Sequence, residues 1–172
     1  MSADVPEVLD AWRMVAARRS FDGRLPLASM ARLRDLLEQP EGEARFSLEF
    51  GRDALEVPYA ALRVDTALPL VCQRSLQRFL LPVAIEQRFG LVRGGEDADA
   101  EEAGLPGGYE ALAVGDDGVL RPADLVEDEL ILAVPLVPVA PGSEALERDW
   151  PVPAEEESRA NPFAALAALK KK

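Results

Sequence analysis

The stretch F79-L-L-P-V-A-I-E-Q-R-F-G-L91 decides the fold, because Phe79, Leu81, Val83, Ile85, Phe89 and Leu91 all stand at positions of one parity. An extended chain turns residues of one parity to one face, so the stretch reads as a strand with an apolar side and a mixed side. Two earlier runs alternate in the same way, A44-R-F-S-L-E-F50 and L62-R-V-D-T-A-L68, and Tyr109 to Val114 reads as a further strand closed by the turn G115-D-D-G118. Pro58, Pro69 and Pro82 cannot donate to a strand ladder, which predicts edges, bulges or bends at those points.

Helical spacing flanks this centre. Between Pro6 and Arg18, the residues Val8, Leu9, Trp12, Val15 and Ala16 fall on one side. S20-F-D-G-R-L25 follows as a short strand or turn. Ser29 to Leu37 then puts Met30, Leu33, Leu36 and Leu37 opposite Arg32, Arg34 and Asp35, and Pro40, Glu41 and Gly42 end the run. R121-P-A-D-L-V-E-D-E-L-I-L-A-V134 carries Pro122 in its first turn and stops at Pro135. The expected fold is α+β: an antiparallel curved sheet or open barrel from about Phe46 to Val114, flanked by short helices. One domain over residues 1–140 is expected, with a mobile acidic loop at about 94–108. An acidic, proline-containing linker over 141–160 and a short C-terminal helix over 161–172 follow it.

The net charge of −12 over 172 residues is unevenly spread. Up to Arg93, thirteen arginines balance thirteen acidic residues; from Gly94 to Leu169, eighteen acidic residues face Arg121, Arg148 and Arg159. All three lysines are the last three residues. Such an acidic half repels phosphate backbones and attracts basic partners, or serves only to solubilise. The sole cysteine, Cys72, excludes an internal disulfide, and the absence of histidine removes the commonest metal ligand and general base. No apolar run reaches the ~18 residues of a membrane span and no signal peptide is evident, so a cytoplasmic protein is expected.

Few residues invite chemistry. C72-Q-R-S75 reads as a turn between strands, since one thiol cannot supply the about four ligands that zinc needs. On a helical projection Asp124, Glu127 and Asp128 share a solvated face, whereas Glu129 falls among Leu125, Val126, Leu132 and Ala133. Glu129 is therefore expected to be a structural buried carboxylate, paired with an arginine from the sheet. There is no phosphate-cradling glycine loop and no catalytic set, which points away from an enzyme, a cofactor or a small-molecule substrate.

Three stretches together resemble the YceD family of large ribosomal RNA subunit accumulation proteins: C72-Q-R-S-L-Q-R-F79, V126-E-D-E-L-I-L-A-V-P-L-V-P-V139 and N161-P-F-A-A-L-A-A-L-K-K-K172. Many members carry C-x-x-C at the first stretch and further Cys or His residues after the second, suggesting a metal knuckle. Here Ser75 replaces the second cysteine and A140-P-G-S-E-A-L146 offers no ligand, so no metal is expected. The resemblance implies a non-enzymatic factor supporting synthesis, processing or stability of 23S ribosomal RNA, working on the large-subunit ribosome precursor. Two mechanisms are open from the residues. Arg63, Arg74, Arg78, Arg88 and Arg93 would form a patch for RNA phosphates. Alternatively the chain is an acidic adaptor for a basic ribosomal or processing protein. In that case the tail is one docking element: Asn161 caps it, Pro162 starts it, Phe163, Leu166 and Leu169 make an apolar stripe, and Lys170 opens the basic end. Folding of this tail back onto its own sheet is the other outcome.

Overall fold

The computed structural model describes residues 6–95 and 98–143. The chain divides into two compact units, Met1–Ala140 and Pro141–Lys172, and the elements below all belong to the first. β1 (Leu9–Asp10) leads into helix α1 (Ala11–Ala17), whose Asp10 cap accepts from the Arg13 amide at 3.0 Å. The helix is shorter than its spacing suggests because Leu9 and Asp10 are drawn into a small antiparallel pair with β7 (Val119–Leu120).

The main sheet has the order β2–β3–β4–β5–β6. β2 (Ser20–Pro26), β3 (Glu43–Arg52), β4 (Pro58–Val71) and β5 (Arg78–Arg93) form an antiparallel meander. β6 (Glu110–Val114) joins β5 in parallel. The sheet is open and curved, not a closed barrel. The period-two residues lie where the alternation puts them. Phe46, Leu48 and Phe50 of β3 and Leu62, Val64, Leu68 and Leu70 of β4 are buried on one face, with Phe89 and Leu91 of β5.

That face is covered by α1, by α2 (Ala31–Arg34) and by α4 (Pro122–Ala133), through Ala11, Val15, Leu33, Leu125, Val126 and Leu130. Ser29 does not start α2. It closes a 3-10 turn at Leu27–Ser29, its hydroxyl donating to the Pro26 carbonyl at 2.7 Å, and the helix begins after Met30.

Pro69 and Pro82 lie inside long strands, at places where each strand has only one neighbour. β3 pairs with β4 only as far as Asp65, and β6 pairs with β5 only from Phe89. Pro69 directs its carbonyl away from β5, where it accepts from the Glu38 amide at 2.9 Å. No ladder bond is lost at either proline.

The stretch 94–108 is not wholly the loop its acidity suggests. It contains α3 (Ala98–Ala103), rich in alanine, and the Glu101 carboxylate accepts from the Arg93 amide at 2.7 Å. A parallel β5–β6 pair needs a crossover of about a dozen residues or more, which α3 helps to provide. The return presses Leu105 onto Gly90, where an added Cβ would lie 2.5 Å from a leucine methyl.

Candidate functional site

Strand parity sorts the five arginines of the central hairpin. Arg63 of β4 and Arg78 and Arg88 of β5 alternate with the core residues and lie on the outer face of the sheet. Arg93 has the opposite parity, and its guanidinium sits 5.3 Å from the Trp12 ring of α1. Arg74 is in the turn between β4 and β5. The structure thus brings three of the five to one face and leaves the others apart.

On that face the positive charges are interleaved with carboxylates. Arg63 pairs with Glu86 at 3.4 Å and Arg78 with Glu41 at 3.3 Å. A shallow groove of about 360 Å³ is lined by Asp22, Arg24, Arg45, Ser47, Arg63 and Asp65, so that both signs of charge face it. Arg88 differs. Its guanidinium lies 4.9 Å from the Tyr59 ring and 5.7 Å from the Tyr109 ring, a cation–π arrangement. The Tyr109 hydroxyl donates to Asp53 at 2.8 Å and the Tyr59 hydroxyl to Glu49 at 3.1 Å. Burial, then these carboxylates, raise both phenol pKa values. Sequence reasoning missed this cluster, because Tyr59 and Tyr109 are fifty residues apart and meet only through the parallel return of β6.

Glu129 is not the buried carboxylate; Glu127 is. Glu127 is 7% exposed, and its carboxylate accepts from the Arg32 amide at 2.7 Å, the Leu33 amide at 3.1 Å and the Arg32 guanidinium at 3.0 Å. The partner is an arginine of α2 and not of the sheet. The physical reason lies in α2: its cap residue is Met30, which has no side-chain acceptor, so the free amides at its start are satisfied from α4. Burial pushes the Glu127 carboxyl up, but the Leu33 and Arg32 amides and the guanidinium outweigh it and hold the pKa below the usual carboxylate range. The signal in the sequence was a helix start without its own cap, hidden by Ser29 one residue earlier. Glu129 is half-buried, and burial, followed by the Glu110 and Asp128 charges, raises its pKa.

C72-Q-R-S75 is a turn with a fully buried thiol. The Cys72 sulfur accepts from the Ser75 amide at 3.5 Å and from the Ala140 amide at 3.3 Å, and the Gln73 amide donates to the Pro138 carbonyl at 2.8 Å. The first two stretches of the resemblance therefore meet at one place, at the tip of the β4–β5 hairpin. Among the described residues no group of three or more His, Cys, Asp or Glu side chains is placed to hold a metal ion. Backbone amides already occupy the thiol, so the purified protein is expected to carry no zinc, and chelator is expected to leave its Tm unchanged. Stoichiometric zinc by elemental analysis would contradict this.

The tail residues Asn161, Pro162, Phe163, Leu166, Leu169 and Lys170 lie outside the described residues. Among the described residues no helix is long and apolar enough to cross a membrane.

The sequence signature of the family described as "Large ribosomal RNA subunit accumulation protein YceD" matches residues 60–170. A protein of Haemophilus influenzae named "Large ribosomal RNA subunit accumulation protein YceD" is 29% identical over 173 aligned positions, covering 98% of this chain and 97% of that protein. No solved structure matches the chain.

Proposed function

The chain belongs to the YceD family, and on that footing we propose that it is a non-enzymatic factor for accumulation of large-subunit ribosomal RNA. It acts as an acidic adaptor on the large-subunit precursor, engaging a basic ribosomal or processing protein. The observation that carries this is the state of the arginines. Arg63 and Arg78 are matched by carboxylates, and Arg93 stands on the other face, so the hairpin offers no continuous cationic strip for phosphates. The chain as a whole carries −12.

The segment from Asn161 to Lys172 is the second contact. Burying Phe163, Leu166 and Leu169 yields about 5–9 kcal/mol gross, while ordering a segment on binding costs about 2–5 kcal/mol. Alone it would bind only in roughly the millimolar range. Tethered to the domain, its effect is multiplied. Deleting residues 161–172 is expected to leave Tm unchanged and to reduce co-sedimentation with large-subunit precursors. A Tm lower by several degrees would mean that the segment packs on the chain's own domain, and the docking role would fail.

One observation favours direct RNA contact instead: Arg88, exposed between Tyr59 and Tyr109, makes no ion pair among the described residues. Salt separates the two. Phosphate contacts weaken steeply between low and moderate salt, with a slope set by their number, and apolar docking changes far less.

A further inference from the structure

β5 is sixteen residues long, yet β6 pairs with only Phe89–Arg93 of it. The Cys72 amide donates to the Gln77 carbonyl, and this fixes the hydrogen-bonding phase of the hairpin. Counting back by twos, Phe79, Leu81, Val83 and Ile85 exchange backbone bonds with Leu70, Leu68, Thr66 and Val64 of β4. Between them, Leu80, Ala84 and Glu86 aim their amides and carbonyls the other way, past the start of β6. Pro82 is the one position on that edge with no N–H. Among the described residues, no backbone hydrogen bond from a turn or loop reaches them.

The side chains of the same stretch are incompletely covered. Leu70, Leu68 and Val64 of β4 are at most 2% exposed, whereas their partners Phe79, Leu81 and Ile85, together with Val83, are only partly buried. The row on β5 is thus less fully covered than the row it faces on β4. An open edge beside a half-covered apolar row invites another strand, and strand addition uses both: main-chain bonds supply affinity and alternate side chains supply specificity.

Charge selects the occupant. Where β6 begins, Glu110 is held by the Gln87 amide of β5, and Glu129 of α4 is its electrostatic neighbour. Asp128 is matched by Arg32 at 2.6 Å, but neither Glu110 nor Glu129 has an ion pair among the described residues. Among the described residues no cation pairs with this corner.

We propose that the Leu80–Glu86 edge of β5 takes an extended segment of a basic partner protein as an added strand. Its apolar side chains lie on the row from Phe79 to Ile85, and a Lys or Arg meets Glu110 and Glu129. This deepens the adaptor role and rests on it.

The probe is the protein fraction of the large ribosomal subunit, stripped of RNA, added to the full chain, with amide exchange read residue by residue. The amides of Leu80, Ala84 and Glu86 are expected to slow at least tenfold on addition. Ala84→Pro removes one edge donor without altering charge or a bond to β4, and is expected to weaken binding at least tenfold; so is Glu129→Lys, which keeps the backbone donor. Wild-type binding by both variants would overturn the strand-addition site and leave the adaptor role standing. No binding by the unaltered chain would defeat the adaptor role and this site together. Protection already present in the free chain that vanishes on removing residues 161–172, or that grows with protein concentration, would assign the edge to the chain's own terminus or to a second copy. Equal protection by 23S RNA alone would overturn the proposal as well.

Discussion

Glu127→Ala is expected to destabilise the domain by about 2–4 kcal/mol, because two backbone amides lose a buried carboxylate acceptor and an unsatisfied buried donor costs about 1–3 kcal/mol. The carboxylate satisfies two backbone amides at the start of α2 and one guanidinium, and together with the exposed Arg32–Asp128 pair it ties α2 to α4. Removal strands the Arg32 and Leu33 amides in a site with little access to water. Asp128→Ala and Glu129→Ala are expected to stay within about 1 kcal/mol, since the Asp128 pair is surface-exposed and Glu129 makes no ion pair among the described residues. Urea denaturation of the three variants reads the difference directly, and equal small effects would refute the capping role.

The pH dependence follows with a fixed sign. The folded Glu127 pKa lies below its ordinary 4.5, so the unfolded chain takes up the proton first. Its contribution is present above that ordinary value and is lost as pH falls through the folded one. Glu127→Gln should flatten this acid-side decline.

Phe50→Ala is the second large effect, at about 3–5 kcal/mol for a buried aromatic truncation. Phe50 is 1% exposed on β3 and meets Phe21 of the edge strand β2 edge-on, with ring centroids 6.4 Å apart. The aromatic pair adds about 0.5–1.5 kcal/mol beyond burial. Opposite Phe50 on β4 stands Ala60, which is too small to fill the void. Phe79→Ala, on the half-covered row of β5, should cost clearly less in the same assay. Equal losses would mean that the row is as well covered as the core.

The contrast between these strands shows what the sequence makes legible. A sheet with one buried face imposes period two, and β3, β4 and β5 carry it almost without interruption, so their existence and inward faces follow from Phe46 to Leu91 directly. Pro69 and Pro82 likewise report the limits of pairing. The parallel joining of β6 to β5 is not legible, because a five-residue strand looks the same in either direction and only the α3 crossover decides it. Glu127 and Glu129 expose the limit of a helical projection. It ranks residues around the helix axis, while burial depends on what packs there, and α2 packs its uncapped start over Glu127. The Arg88 cluster depends on the same long-range return and leaves no local trace.

The adaptor role predicts where this chain touches its target, and carbodiimide crosslinking on purified large-subunit precursor particles measures it. That reagent joins carboxylates to amines at zero length. The expected products link Asp or Glu residues between Gly94 and Arg159, or Glu110 and Glu129 among them, to lysines of a ribosomal or processing protein, with the 161–172 segment needed for full yield. Ultraviolet crosslinks from Tyr59 or Tyr109 to 23S ribosomal RNA, with no protein–protein products, would contradict the adaptor role and assign the contact to RNA.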